Sequence, residues 1–142
     1  SVALNDAFAG AEFYTAEPAG FDDTARSLAA GERVQNDPDA RSICDAIVTP
    51  SPGQLTFPIV QRLAAGGKVV TDEAALSAMK TAWDYFKLTV EPGGAVALAA
   101  ALDKGFIASH KASKRPCVVA MISGGNCDEE MFARALTTHA LI

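Results

Sequence analysis

Eight consecutive residues, Ala95-Val96-Ala97-Leu98-Ala99-Ala100-Ala101-Leu102, carry no polar side chain, so a helix through them has no face to offer water. Such a helix must be buried on nearly every side. Its small side chains permit close packing against a sheet or another helix. The entry to it is Glu91-Pro92-Gly93-Gly94. Pro92 suits the first helical position, and the two glycines let backbone N–H groups approach a ligand or a neighbouring chain. Glu91, at the mouth of the helix, reads equally as a partner of the helix dipole and as a site carboxylate.

A second stretch has the pattern of strand, glycine turn and helix. Cys117-Val118-Val119-Ala120-Met121-Ile122 is apolar throughout and leads into Ser123-Gly124-Gly125-Asn126, which predicts a buried strand ending in a turn. Asp128-Glu129-Glu130 then crowds acid into the first turn of a helix in which Met131, Ala135 and Leu136 share a face. In open α/β sheets, ligands sit at the carboxyl ends of such strands, although a plain connection is the commoner use of the pattern.

The rest of the chain alternates in the same way. Val2, Leu4, Ala7 and Phe8 form a fragment of an apolar helical face, closed by Ala9-Gly10, and Glu12 to Ala16 reads as a short strand. Glu17-Pro18-Ala19-Gly20-Phe21-Asp22-Asp23 follows as a turn with three carboxylates. Asp22 and Asp23 are placed to cap the helix that begins at Thr24, and the same oxygens could bind a hard cation; both readings stay open. Gly31 to Arg41 is a polar surface connection, Ser42 to Val48 turns apolar, and Thr49 to Gly53, with two prolines, is irregular and stiff. A helix over about Gln54–Ala65 tolerates Pro58 in its first turn and is stopped by Gly66-Gly67. Gly66-Gly67-Lys68 is no nucleotide loop, because Arg62 stands where its first glycine belongs and Val69 follows the lysine. Lys68 to Val70 is strand-like. Thr71 then caps a helix to about Lys87 whose Leu76, Met79, Trp83 and Phe86 form a core face.

Composition excludes several functions. The net charge of -5 over 142 residues, without a basic stripe or interleaved aromatics, argues against nucleic acid and anionic membranes as partners. His110 to Arg115, the one cationic cluster, reads as a solvated loop. No apolar run approaches the roughly 20 residues of a membrane span. Cys44, Cys117 and Cys127 are an odd number without C-x-x-C spacing, which points away from disulfides and zinc and toward a reducing cytoplasm. Two histidines, His110 and His139, give little support to histidine triads.

Three segments in order carry a resemblance: Ala16 to Asp23, Val90 to Ala99, and Ile122 to Asp128. Together they resemble the C-terminal portion of the pyridoxal-phosphate-dependent threonine/serine dehydratase and serine racemase family. The resemblance implies an α/β fold of fold-type II, like tryptophan synthase β, with helices packed around a mostly parallel sheet. It implies that residues 1–142 form a single α/β domain within a larger catalytic fold. Ser123 then matches the serine that faces the pyridine nitrogen of pyridoxal 5'-phosphate, Gly124 lies in the backbone beside the ring, and Glu91 stands at the ring edge. Glu17, Asp23 and the carbonyl of Phe21 match cation ligands, for magnesium, calcium or a monovalent ion.

The family's Schiff-base lysine, substrate-carboxylate loop and phosphate loop belong to an N-terminal part, and no lysine of this chain sits in the Ser-Phe-Lys context of the catalytic one. The implied activity is conversion of L-threonine or L-serine to a 2-oxo acid and ammonia, with racemisation of serine as an alternative. The chain alone is expected to be inactive, covered by its N-terminal counterpart or a complementary chain, and to form a homo-oligomer. The contrasting expectation is a non-catalytic remnant that binds a ligand or partner.

Overall fold

A computed structural model describes residues 2–8, 10–110 and 117–141. The expected loop at 111–116 and the helix end at Ala9 lie outside them. Two parallel strands, β1 (Phe13–Pro18) and β2 (Ala64–Val70), form the sheet, with Thr15 opposite Gly67 and Pro18 opposite Val70. Helix α1 (Val2–Ala7) precedes β1, α2 (Asp23–Ala30) follows it, and α3 (Phe57–Leu63) precedes β2. After β2 come α4 (Asp72–Thr81), α5 (Pro92–Leu102), α6 (Lys104–Ser109) and α7 (Glu129–Leu136). No described helix is long and apolar enough to cross a membrane.

Helix α5 is the centre of the core, as its composition requires. Pro92 to Val96 and Leu98 to Ala100 are all buried, packed with Leu76, Ala78 and Met79 of α4 and with Val70 and Val90. Alanine methyl groups, and glycines with no side chain at all, let α4, β1 and β2 come close to it together. Thr71 caps α4, its hydroxyl accepting the Ala74 N–H at 3.2 Å. Asp128 does the same for α7, accepting the Met131 N–H at 2.7 Å.

Gly66 and Gly67 do not stop a helix; they lie inside β2, and α3 ends before them, at Leu63. The reason is steric. A Cβ on Gly67 would collide with the Cβ of Ala25 on α2 and stand 3.0 Å from Thr15 Oγ1, so glycine lets β2 pass directly beneath α2.

The expected core face of α4 fails at its end, because Ala82–Phe86 winds as a π-helix. The wider turn rotates the following residues, leaving Phe86 58% exposed, while Trp83 stays half-buried, edge-on to Phe132 at 5.4 Å.

The buried strand expected at Cys117–Ile122 is also corrected. The segment is not a strand, and Val118, Val119 and Met121 are 47%, 82% and 65% exposed. A strand needs a hydrogen-bonded neighbour, and among the described residues β1 and β2 pair only with each other. Ala120 and Ile122 nonetheless pack against the core while Val119 and Met121 point away, the alternation of an extended chain.

Candidate functional site

The mouth of α5 meets the Ser123–Gly125 turn. Glu91 occupies the position before the helix but makes no side-chain cap. Its backbone N–H donates to the Gly124 carbonyl at 3.2 Å, and its carboxylate lies against the α-carbon of Gly124. Three glycines make this approach feasible. A Cβ on Gly94 would overlap the Gly124 carbonyl and stand 2.8 Å from its nitrogen; one on Gly124 would overlap Glu91 Oε1; one on Gly125 would stand 2.7 Å from the Thr89 carbonyl. The outcome is a ledge of closely packed backbone, with the exposed Ser123 at one end and the half-buried Glu91 against Gly124.

The sequence motifs at 91–94 and 123–125, which the resemblance places together, are in contact in the fold. A cleft of about 70 Å³ beside the ledge is lined by Asp45, Glu91, Asn126, Cys127 and Asp128. Burial pushes the Cys127 thiol up, and the Asp128 and Glu91 carboxylates push it the same way. Such a thiol is a poor nucleophile at neutral pH.

The second group of expected residues gathers at the end of β1. Glu17 does the capping that sequence assigns to Asp22 and Asp23: its two carboxylate oxygens accept the N–H groups of Thr24 at 2.9 Å and Ala25 at 2.8 Å. Asp22 makes no side-chain cap; it pairs with Arg26 at 3.1 Å. Asp23 is 2% exposed and accepts the Asn36 Nδ2–H at 2.5 Å. Burial pushes the Glu17 carboxyl up despite those N–H donors, and Asp23 adds to the rise. Phe21 sits in the same turn, its N–H donating to the Pro18 carbonyl at 3.0 Å.

One cluster escaped the sequence reading. His110, expected in a solvated loop, is half-buried, its Nε2 3.1 Å from the Tyr14 hydroxyl and 3.3 Å from Glu12 Oε2. Lys68 lies over the rings of Tyr14 and Phe106, at 5.2 and 4.7 Å. The residues are far apart in the chain, so no local spacing announces them. Hydrogen bonds from Tyr14 and His110 hold the Glu12 carboxyl below its usual range, and Glu12 raises the Tyr14 hydroxyl in return.

The chain is 38% identical over 124 residues to serine racemase from Dictyostelium discoideum, covering 87% of this chain and 37% of that protein. It superposes on the structure of maize serine racemase with a TM-score of 0.82 at 34% identity, covering 95% of this chain and 40% of the other. On the crystal structure of the T.th. threonine deaminase the TM-score is 0.74, again at 34% identity, over 89% of this chain and 44% of that one. The chain thus spans about two fifths of the length of these relatives, and its α/β fold is that of fold-type II enzymes. The model of the family described as "Pyridoxal-phosphate dependent enzyme" matches residues 1–124, and the chain belongs to that family.

Proposed function

We propose that the chain forms one wall of the cofactor site of an ammonia-lyase that converts L-threonine or L-serine to a 2-oxo acid and ammonia. The observation that carries the reading is the packing of the Glu91 carboxylate on Gly124, with Ser123 exposed beside it. These residues fit pyridoxal phosphate: the absence of a Cβ on Gly124 lets the Glu91 carboxylate reach the turn, beside the exposed hydroxyl of Ser123, so that one carboxylate and one neutral hydroxyl are offered to a polar ring. The cofactor, when bound, supplies the electron sink for loss of the α-proton and the β-hydroxyl.

In this reading Ser123 faces the pyridine nitrogen. Its hydroxyl is neutral, so it leaves that nitrogen largely unprotonated, where a carboxylate would hold a proton in place. Gly124 and Gly125 give the ring its flat support. Glu91, fixed through its own backbone N–H and against Gly124, would present its carboxylate at the edge of the bound ring.

Glu17, Asp23 and the Phe21 carbonyl are the proposed ligands of a magnesium, calcium or monovalent cation. The donor set fits a hard ion. Asp23 is a buried carboxylate with no cationic side chain at ion-pair distance among the described residues, and Glu17 beside it is desolvated too. Buried charges of one sign call for a counter-ion.

The lysine that holds the cofactor is proposed to come from a part of the catalytic fold outside these 142 residues, which act as one α/β unit and are inactive alone. A homo-oligomer in the cytoplasm is the proposed working form. The test is addition of pyridoxal phosphate to the intact protein, followed by an assay for 2-oxobutyrate from L-threonine. A visible absorption band removed by borohydride, together with oxo acid, is the expected result. Neither band nor product would leave only a ligand- or partner-binding role.

A second reading is serine racemisation, favoured by the 38% identity to a serine racemase. Chiral chromatography of the L-serine reaction separates the two: D-serine in excess of pyruvate identifies a racemase.

A further inference from the structure

We infer that Asn36 is a positioning residue for the cation site, and that it ties occupancy of the site to the Thr49–Pro50 backbone. The inference rests on Glu17, Phe21 and Asp23 being cation ligands. Asn36 is 9% exposed and every polar group of its side chain is engaged. Nδ2 donates to Asp23 Oδ1 at 2.5 Å and to the Thr49 carbonyl at 2.7 Å, Oδ1 accepts from Arg26 Nη2, and the backbone N–H donates to the Pro50 carbonyl at 2.8 Å. Two acceptors on one side and a guanidinium on the other define the orientation of the amide, since only NH₂ can serve the first pair and only oxygen the second.

The consequence for Asp23 is direct. Its Oδ1 is held by Asn36, which leaves Oδ2, without a hydrogen bond among the described residues, as the oxygen open to a cation. The far side of the amide is anchored as well: Arg26 donates to Asp22 Oδ1 at 3.1 Å and to the Gln35 carbonyl at 3.2 Å. The neighbouring Val34 N–H donates to Ser27 Oγ on α2 at 2.9 Å. Partners that orient a metal's ligands in this manner commonly alter affinity when removed, although they never touch the ion.

Thr49 extends the connection. It lies two residues beyond the 3-10 turn Asp45–Ile47, and Ala46 and Ile47 come within 3.5 Å of where a Cβ on Gly93 would stand, at the mouth of α5. A contiguous run of hydrogen bonds and contacts therefore leads from Asp23 through Asn36 to the helix end that carries Glu91. A cation that fixes Asp23 also fixes Asn36 and the loop it grips.

The test combines calorimetric titration of the intact protein with calcium or magnesium chloride and amide hydrogen exchange at Asn36, with Glu17→Gln marking the site. The expected result is cation binding that Glu17→Gln abolishes and that Asn36→Ala weakens about 10- to 100-fold. In the wild type, exchange at the Asn36 N–H should slow on cation addition. No binding by the wild type, or binding indifferent to Glu17→Gln, overturns the ligand assignment and the inference with it. Binding sensitive to Glu17→Gln but within about twofold of wild type in Asn36→Ala overturns the inference alone. If Asn36→Ala does not fold, wild-type exchange decides: cation-dependent protection at Asn36 supports the inference, and its absence overturns it.

Discussion

Glu91 and Gly124 are locked together twice: the Glu91 N–H donates to the Gly124 carbonyl at 3.2 Å, and the Glu91 carboxylate rests against the Gly124 α-carbon. The two contacts differ in what can yield. Gly124→Ala pushes on the end of a flexible side chain, so the protein should fold with a stability loss of about 1 kcal/mol and a displaced Glu91 carboxylate. Gly94→Ala pushes on the backbone of Gly124 itself, and should cost about 1–3 kcal/mol. Urea denaturation of both variants checks the order. Titration with pyridoxal phosphate should show weakened binding in each.

Thr15 Oγ1 is buried without a hydrogen-bond partner among the described residues, beneath α2 and next to Gly67. Thr15→Val keeps the shape and removes the unsatisfied group. It should stabilise the protein by about 1 kcal/mol, read as a higher urea midpoint at unchanged slope.

Glu17 makes stability depend on pH. Its carboxyl is raised above its ordinary 4.5, mainly by burial, so the folded state holds the proton more tightly than the unfolded one. This contribution is fully present below about 4.5 and is lost as pH rises through the folded value. Denaturation between pH 4 and 7, without added cation, should therefore show wild type losing stability relative to Glu17→Gln as pH rises. Calcium should reduce the difference at pH 7, because it offsets the buried negative charge.

The three cysteines should react in a fixed order. Cys117 is exposed, Cys127 is half-buried with its thiol pushed up, and Cys44 is fully buried with its thiol pushed up by burial. Timed alkylation at pH 7.5 with peptide mapping should label Cys117 first, Cys127 slowly, and Cys44 only on unfolding.

What the sequence determined by itself is local. The burial of α5 follows from eight apolar residues in a row, the start of α4 from Thr71, the start of α7 from Asp128, and the end of β1 from the Pro18–Gly20 turn. Each of these depends on groups a few residues apart, whose propensities and hydrogen bonds act within a turn or two. Even the residues of the Glu91–Gly124 contact and of the Glu17–Asp23 turn could be named from motifs, though not the hydrogen bonds they make.

Tertiary structure decided the rest. Gly66 and Gly67 read as a helix stop because that is the ordinary use of glycine, yet α2 crossing above β2 turned them into the thinnest part of a strand. Cys117–Ile122 has the composition of a buried strand, but pairing is a property of two segments, and β1 and β2 satisfy only each other. Asp22 and Asp23 looked like caps, and Glu17, six residues before α2 begins, took that place because the end of β1 aims its carboxylate at the Thr24 and Ala25 N–H groups. The Asn36 bridge and the His110–Tyr14–Lys68 cluster join residues 13 to 96 positions apart. Such contacts depend on where chain folding brings distant segments, and no spacing within a single segment encodes that distance.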